Sequence, residues 1–75
     1  MVLADIKPGC KARITNMESL NEMVRRRLMD LGVADGVSVR MKRILPFGGP
    51  VAVEAGGQWI GLRRCDARRI EVAPS

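Results

Sequence analysis

The dipeptide Gly56-Gly57 divides an apolar segment of this 75-residue chain into two short halves, and this feature strongly constrains the fold. Two successive glycines are typical of the two-residue turn of a β-hairpin. In the hairpin that such a turn produces, one face consists of Val51, Val53, Ile60 and Leu62. The other face places Glu54 opposite Trp59, because cross-strand partners share a face. A shift of one residue would mix the two faces, so the segment predicts a hairpin in this register.

Residues 10–14 alternate between apolar and polar side chains, which is the period of a half-buried strand. The inward face would hold Cys10, Ala12 and Ile14. We therefore expect Cys10 to be a small buried side chain rather than a metal ligand.

Residues 37–42 alternate in the same way and follow the turn signal Asp35-Gly36. The side chains expected to face inwards are Val37, Val39 and Met41. The alternation breaks at residues 43–45, which predicts a β-bulge or a bend before the Pro- and Gly-rich loop 46–50.

Between these two strands, residues 20–31 have the spacing of an amphipathic helix. The apolar side chains that lie three or four positions apart are Leu20, Met23, Val24, Leu28 and Leu31. Ser19 and Glu22 fit a capping box at the start of the helix. Gly32 suits the left-handed conformation that ends a helix, with Val33 packing back in a Schellman motif.

Towards the C-terminus, Asp66 is predicted to cap a short helical turn over residues 67–69, and residues 70–72 alternate as a last strand. So many short strands in a small chain must protect their edges, and closure into a barrel does so. The sequence therefore predicts a single domain over residues 1–75. Its fold class is mainly β: a small barrel with one α-helix between the first two strands and a short helical turn before the last.

The inventory of reactive side chains argues against an enzyme. The chain has no His and no Tyr, so it lacks the usual proton carrier at neutral pH and cannot assemble a Ser–His or Cys–His nucleophile. No glycine-rich phosphate-binding motif is present. A chain of this length also has little room for a substrate cleft beside a core. We expect neither catalysis nor a cofactor.

The two cysteines, Cys10 and Cys65, are far apart in sequence, and without His they do not predict a metal site. The N-terminal residues lack the apolar segment of a signal peptide. No stretch approaches the roughly 20 apolar residues that cross a bilayer. We therefore expect a cytoplasmic protein with reduced thiols and no membrane insertion.

Four segments together resemble the FeoA family along nearly the whole chain. They are Leu3-x-x-Ile6-Lys7-x-Gly9, Arg27-Leu28-x-x-Leu31-Gly32-Val33-x-x-Gly36, Leu45-Pro46 with Pro50-Val51, and Leu62-Arg63-x-x-x-Ala67-x-x-Ile70-x-Val72. The resemblance implies an SH3-like barrel. It also implies a regulatory role in bacterial ferrous-iron uptake, by binding FeoB, a membrane permease with a cytoplasmic GTP-binding domain. Two positions depart from the family pattern: Gly49 stands where Asp is usual, and Asp66 where Glu is more frequent.

The residues that we expect to contact this partner are aromatic or cationic. They are Phe47, Trp59, Arg63, Arg25 and Arg26. Exposed aromatic side chains beside arginines are typical of protein interfaces, although Trp59 could equally cover an end of the barrel. The run Arg25-Arg26-Arg27 could be a solvated helix face, or it could join Arg63-Arg64 and Arg68-Arg69 in one positive patch.

The charge balance leaves other partners open. The chain has 13 Lys and Arg against 8 Asp and Glu, a net charge of +5 that favours an anionic partner. One alternative is a nucleic-acid-binding barrel, which is disfavoured because Phe47 and Trp59 are the only aromatic residues. Another is a stand-alone version of the C-terminal SH3-like domain of metal-dependent repressors. A weak homo-oligomer is also compatible with the sequence.

Overall fold

A computed structural model describes all 75 residues of the chain. Its strands are β1 (Lys11–Asn16), β2 (Ser38–Ile44), β3 (Val51–Ala55), β4 (Gln58–Leu62) and β5 (Glu71–Pro74). Helix α1 (Glu22–Asp30) lies between β1 and β2, and the short helix α2 (Arg64–Ala67) precedes β5. The strands form one antiparallel sheet in the order β4-β3-β2-β1-β5. The predicted order of elements is confirmed.

The hairpin of β3 and β4 has the predicted register. Val51 pairs with Leu62, Val53 with Ile60, and all four side chains are buried. Gly56 and Gly57 have φ angles of 59° and 86°, which are the left-handed values that a type I′ turn requires. The predicted hairpin is therefore correct in both its turn and its buried face.

Strand β2 contains a bulge, one residue before the break predicted at residues 43–45. Met41 pairs with Val53 and Arg43 with Ala52, so that Lys42 is an extra residue between the two pairs. Val39 and Met41 are buried as predicted, whereas Val37 lies before the strand and is only half-buried.

The capping box predicted for α1 is wrong. The Oδ1 atom of Asn21 accepts a 2.8 Å hydrogen bond from the amide of Met23, so Asn21 rather than Ser19 caps the helix. The chain before it is a turn in which the amide of Leu20 donates to the carbonyl of Met17. The end of the helix is as predicted: Val33 donates to the carbonyl of Leu28 in a Schellman motif, with Gly32 at a φ of +89°.

The apolar face of α1 is narrower than predicted. Leu20, Val24 and Leu28 are buried, but Met23 is 79% exposed and Leu31 is 37% exposed. Each residue turns a helix by about 100°, so Met23 lies well to one side of the line that joins Val24 and Leu28. The apolar side chain of Met23 is therefore in contact with solvent and available to a partner.

Cys10 is exposed, which corrects the prediction that it is buried. Strand β1 begins one residue later, and the amide of Cys10 donates to the carbonyl of Lys7 in a turn. The alternation is maintained by Ala12 and Ile14, both fully buried, but it does not extend to the turn.

Asp66 does not cap α2, because the helix already begins at Arg64 and Asp66 is its third residue. The carboxylate instead accepts a 3.3 Å hydrogen bond from Nε of Arg63, and Asp66 is the one buried charged residue. The predicted helical turn over residues 67–69 thus lies about three residues earlier in the chain.

A single cluster of 19 buried hydrophobic residues forms the core, to which all five strands, both helices and the N-terminal segment contribute. The outer edge of β5 is covered by the N-terminal residues, since Leu3 donates to the carbonyl of Ile70 and Val72 donates to that of Met1. This edge is thereby protected without pairing between β4 and β5. Neither α1 nor α2 has the length and apolarity to cross a lipid bilayer.

Candidate docking surface

Phe47 occupies the tip of the loop between β2 and β3. Its side chain is as exposed as in an extended chain, with a relative exposure of 103%. The amide of Gly49 donates to the carbonyl of Pro46, and φ is 60° at Phe47 and 72° at Gly48. These values describe a tight turn with two left-handed residues, a conformation that costs a residue other than glycine roughly 1–2 kcal/mol. The loop therefore presents an aromatic ring to solvent from a strained backbone.

Two contacts hold this loop in place at its base. The amide of Leu45 donates to the carbonyl of Pro50, and Nη2 of Arg64 donates a 2.7 Å hydrogen bond to the carbonyl of Leu45. A Cβ atom at Gly49 would lie 3.0 Å from Cβ of Leu45. The loop would thus have to move by a few tenths of an ångström to take the Asp that is usual in the family pattern.

Trp59 lies on the outer face of the hairpin and is 59% exposed. Nζ of Lys42 is 5.7 Å from the centroid of its ring, within the range of a cation–π interaction. The same Lys42 lies 3.6 Å from the carboxylate of Glu54. Beside Trp59, a shallow depression passes over Gly61 and reaches Pro50 at the base of the Phe47 loop.

Arg63 lies where two grooves meet, and its side chain is 72% exposed. We call the first the arginine groove; it is lined by Gly48, Pro50, Arg63, Arg64, Cys65 and Arg68. We call the second the helix groove; besides Arg63, its lining includes Met23, Arg26, Arg27 and Asp30 of α1. Because Pro50 lines both the arginine groove and the depression beside Trp59, one continuous surface joins Trp59 and Arg63 at the base of the Phe47 loop.

Arg26 lines two grooves along α1, whereas Arg25 lines only one of them. Arg26 lines the helix groove and forms an i,i+4 ion pair with Glu22 at 3.6 Å, with both side chains largely exposed. Arg25 is half-buried and lines a separate groove that contains Glu18 and Asp35. The structure brings Arg26 towards Arg63 but places Arg25 among carboxylates.

Sequence reasoning missed two parts of this surface. Arg64 was not predicted to fix the Phe47 loop, because its contact with Leu45 spans 19 residues and leaves no local pattern. Met23 was assigned to the core, whereas it lies exposed beside Arg26 in the helix groove.

The structure does not assemble a cluster of metal ligands. No three Cys, Asp or Glu side chains lie close enough together to hold an ion. Cys10 and Cys65 are both exposed and free.

The model of the FeoA domain family matches residues 1–74. The chain belongs to the FeoA family. The solution structure of the FeoA protein from Chlorobium tepidum is 36% identical, with a TM-score of 0.92 over 99% of this chain and 70% of that one. Iron(II) transport protein A from Clostridium thermocellum is 31% identical, with a TM-score of 0.86 over 99% of this chain and 45% of that one. No curated protein sequence matches the chain significantly.

The FeoA fold also extends to proteins of a different class. A manganese-dependent transcriptional repressor is 16% identical, with a TM-score of 0.87 over all of this chain and 41% of the repressor. Likeness at this level of identity shows a shared fold. Since such repressors carry an SH3-like domain, the predicted class of this FeoA domain, a small SH3-like barrel, is confirmed.

Proposed function

We propose that this FeoA domain is a non-catalytic, cytoplasmic accessory protein of ferrous-iron uptake, which acts by binding the permease FeoB through the surface around Phe47. Membership of the FeoA family and the likeness to iron(II) transport protein A support the link to ferrous-iron transport. The partner and the surface are our inference from the geometry of the loop.

The observation that carries the proposal is the fully exposed ring of Phe47 at a left-handed φ. Folding alone gives no reason for a large aromatic side chain at this position, since its ring is buried against nothing. Strained backbone that is held by surrounding contacts occurs preferentially at functional sites. A loop stiffened by Pro46 and Pro50 also loses little conformational entropy when it binds.

The other candidate residues surround this anchor in a pattern typical of interfaces. Trp59 is the second exposed aromatic residue, and Arg63 is exposed on the opposite side of Pro50. Aromatic and arginine side chains are the residue types that most often dominate binding energy in protein complexes.

Calorimetric titration of the folded chain against the FeoB cytoplasmic domain, and then against the intact permease, tests the proposal. Alanine at Phe47 or Trp59 should weaken binding by about 1–2 kcal/mol or more, and alanine at Arg63 should also weaken it. Arg13→Ala on the opposite part of the sheet is the control, because Arg13 is an exposed arginine on β1. Binding by all three site variants that equals the wild type would exclude this surface.

Salt dependence separates the proposal from nucleic-acid binding, the alternative that the arginines suggest. A protein that contacts several phosphates loses roughly 10³–10⁵ in affinity between about 50 and 200 mM salt. Docking anchored by Phe47 should depend on salt much less. If the chain binds an oligonucleotide in the absence of FeoB, and if that affinity falls steeply as the salt concentration rises, nucleic-acid binding is favoured.

A further inference from the structure

Arginine side chains dominate the two grooves that meet at Arg63. The five that line them are Arg26, Arg27, Arg63, Arg64 and Arg68, whereas Asp30 is the one acidic lining residue. Asp66 accepts from Nε of Arg63, and Glu22 lies near Arg26, but no carboxylate of this chain pairs with Arg64 or Arg68. The surface therefore carries a local excess of positive charge that the protein does not neutralise.

Arg64 is only partly satisfied by the fold. Its Nη2 atom donates to the carbonyl of Leu45, while its Nε atom is buried and has no hydrogen-bond partner. A guanidinium has five N–H donors in a planar fork that matches a carboxylate, and an unpaired buried donor is costly. Because Nε is buried, an acidic group in the arginine groove would accept from the other N–H groups of Arg64, at the base of the Phe47 loop.

Exposed apolar side chains accompany these charges. Met23 lines the helix groove and is 79% exposed, and Phe47 precedes Gly48 of the arginine groove and is fully exposed. A polypeptide can offer carboxylates and apolar side chains together. A phosphodiester chain offers phosphates and flat bases, which need several aromatic platforms, and no aromatic residue lines either groove.

We infer that the arginine groove and the adjoining helix groove bind an acidic segment of a protein partner, with carboxylates on Arg63, Arg64 and Arg68 and apolar side chains against Met23 and Phe47. This inference rests on the proposed docking function and specifies the chemistry of the docked segment. It also adds Met23 to the residues that the sequence suggested, and it gives Arg64 and Arg68, members of the possible positive patch, a defined ligand.

Short blocked peptides provide a direct probe. One peptide alternates glutamate with leucine, and its matched control replaces each glutamate with glutamine. We expect the acidic peptide to shift the ¹⁵N–¹H signals of the arginine Nε groups at positions 63, 64 and 68, with at least roughly tenfold weaker binding of the control, because hydrogen bonds between ionised groups are the stronger ones. Equal binding of the two peptides, or no binding of either, would overturn the inference.

Charge-matched variants show whether the groove itself is responsible. The double variant Arg63→Gln/Arg68→Gln should weaken binding of the acidic peptide at least roughly tenfold, since it removes two charged donors. The variant Arg13→Gln/Lys11→Gln removes the same charge from the exposed face of β1 and should leave the affinity nearly unchanged. An equal loss in both variants would mean that net charge, and not the groove, attracts the peptide.

Further measurements distinguish an acidic protein segment from other ligands of the grooves, and they test the groove separately from FeoB docking. Tighter binding of a single-stranded oligonucleotide, or of phosphatidylglycerol vesicles, at the same arginines would overturn the choice of an acidic protein segment. If Phe47→Ala weakens binding to FeoB and the double arginine variant does not, FeoB docking stands and the acidic segment is wrong. If the acidic peptide binds in the groove and FeoB does not bind the chain, the groove stands and the proposed function fails.

Discussion

Nη2 of Arg64 lies 2.7 Å from the carbonyl oxygen of Leu45, and this hydrogen bond connects α2 to the loop that carries Phe47. The two elements are otherwise separated by β3 and β4 in the chain. Whatever displaces α2 therefore acts on the conformation of the loop, and a ligand at Arg64 acts on both.

Removal of this hydrogen bond should loosen the loop. Arg64→Met retains most of the apolar stem but no donor, so we expect it to lower the free energy of local opening of the loop by about 1 kcal/mol. The global free energy of unfolding should change less, because the substitution also removes the buried, unpaired Nε. The amides of Leu45 and Gly49, which bond within the loop, should exchange faster with solvent. Urea unfolding and hydrogen exchange measure the two effects. Arg43→Met, an exposed arginine on β2, is the control, and unchanged exchange in the Arg64 variant would contradict the role of the bond.

The hairpin and the bulge could be predicted from sequence because both depend on local alternation. Gly56-Gly57 allows one turn type, and one register buries Val53 and Ile60 together. The bulge at Lys42 follows from the break in the pattern. Where the alternation is long and strict, only one strand register buries all the apolar side chains, so the sequence predicts the pairing.

The errors lie where an element ends or where tertiary contacts decide. Cys10 continues the alternation of β1, but the preceding turn keeps its side chain in solvent. Ser19 and Asn21 are both competent N-caps, and the turn at Met17 selects the second. Arg64 reaches Leu45 only after the chain has folded, so no spacing in the sequence could indicate their contact.

A pair of substitutions on α1 tests which of its faces is buried. Leu28 is 2% exposed and Met23 is 79% exposed. We expect Leu28→Ala to lower the free energy of unfolding by about 3 kcal/mol, through lost burial and the cavity that remains. Met23→Ala should change it by less than about 0.5 kcal/mol, as exposed substitutions usually do. Chemical denaturation measures both values, and similar losses would place Met23 in the core.

Both thiols should react in the folded protein, because Cys10 and Cys65 are exposed. A thiol-specific chromogenic reagent should titrate two groups without denaturant. Cys10→Ser should leave one reactive group and a nearly unchanged free energy of unfolding, since no packing is lost. If Cys10 reacts only after unfolding, its side chain is buried as the alternation of β1 first indicated.

Iron should not bind stoichiometrically to the isolated chain. No three potential ligands are grouped together, and two separated thiols do not form a site for a divalent ion. Anaerobic titration with Fe(II) should give the same weak response for the wild type and for the double variant Cys10→Ser/Cys65→Ser. A one-to-one complex that this double variant abolishes would contradict the prediction.

Phe47 allows backbone strain to be measured separately from binding. Alanine and glycine both remove the ring, but only glycine adopts a φ of 60° without a clash between Cβ and the backbone. Relief of this clash should favour glycine by about 1 kcal/mol. The greater freedom of glycine in the unfolded chain offsets part of this gain. We therefore expect Phe47→Gly to be the more stable of the two variants. An alanine variant that is more stable than the glycine variant would mean that the strain at this turn is smaller than the entropic cost of glycine, which contradicts the prediction.

The affinities of the same two variants for FeoB then test whether the ring of Phe47 contributes to binding. If the ring is the anchor, both variants should lose at least roughly tenfold in affinity for FeoB, although one of them is the more stable protein. If Phe47→Gly is at least as stable as the wild type and still loses binding, the loss is not due to poor folding, so the glycine variant removes the usual ambiguity of an alanine substitution. If instead Phe47→Gly binds like the wild type, the ring is not an anchor. The search for the contact then moves to the helix face of Arg25 and Arg26.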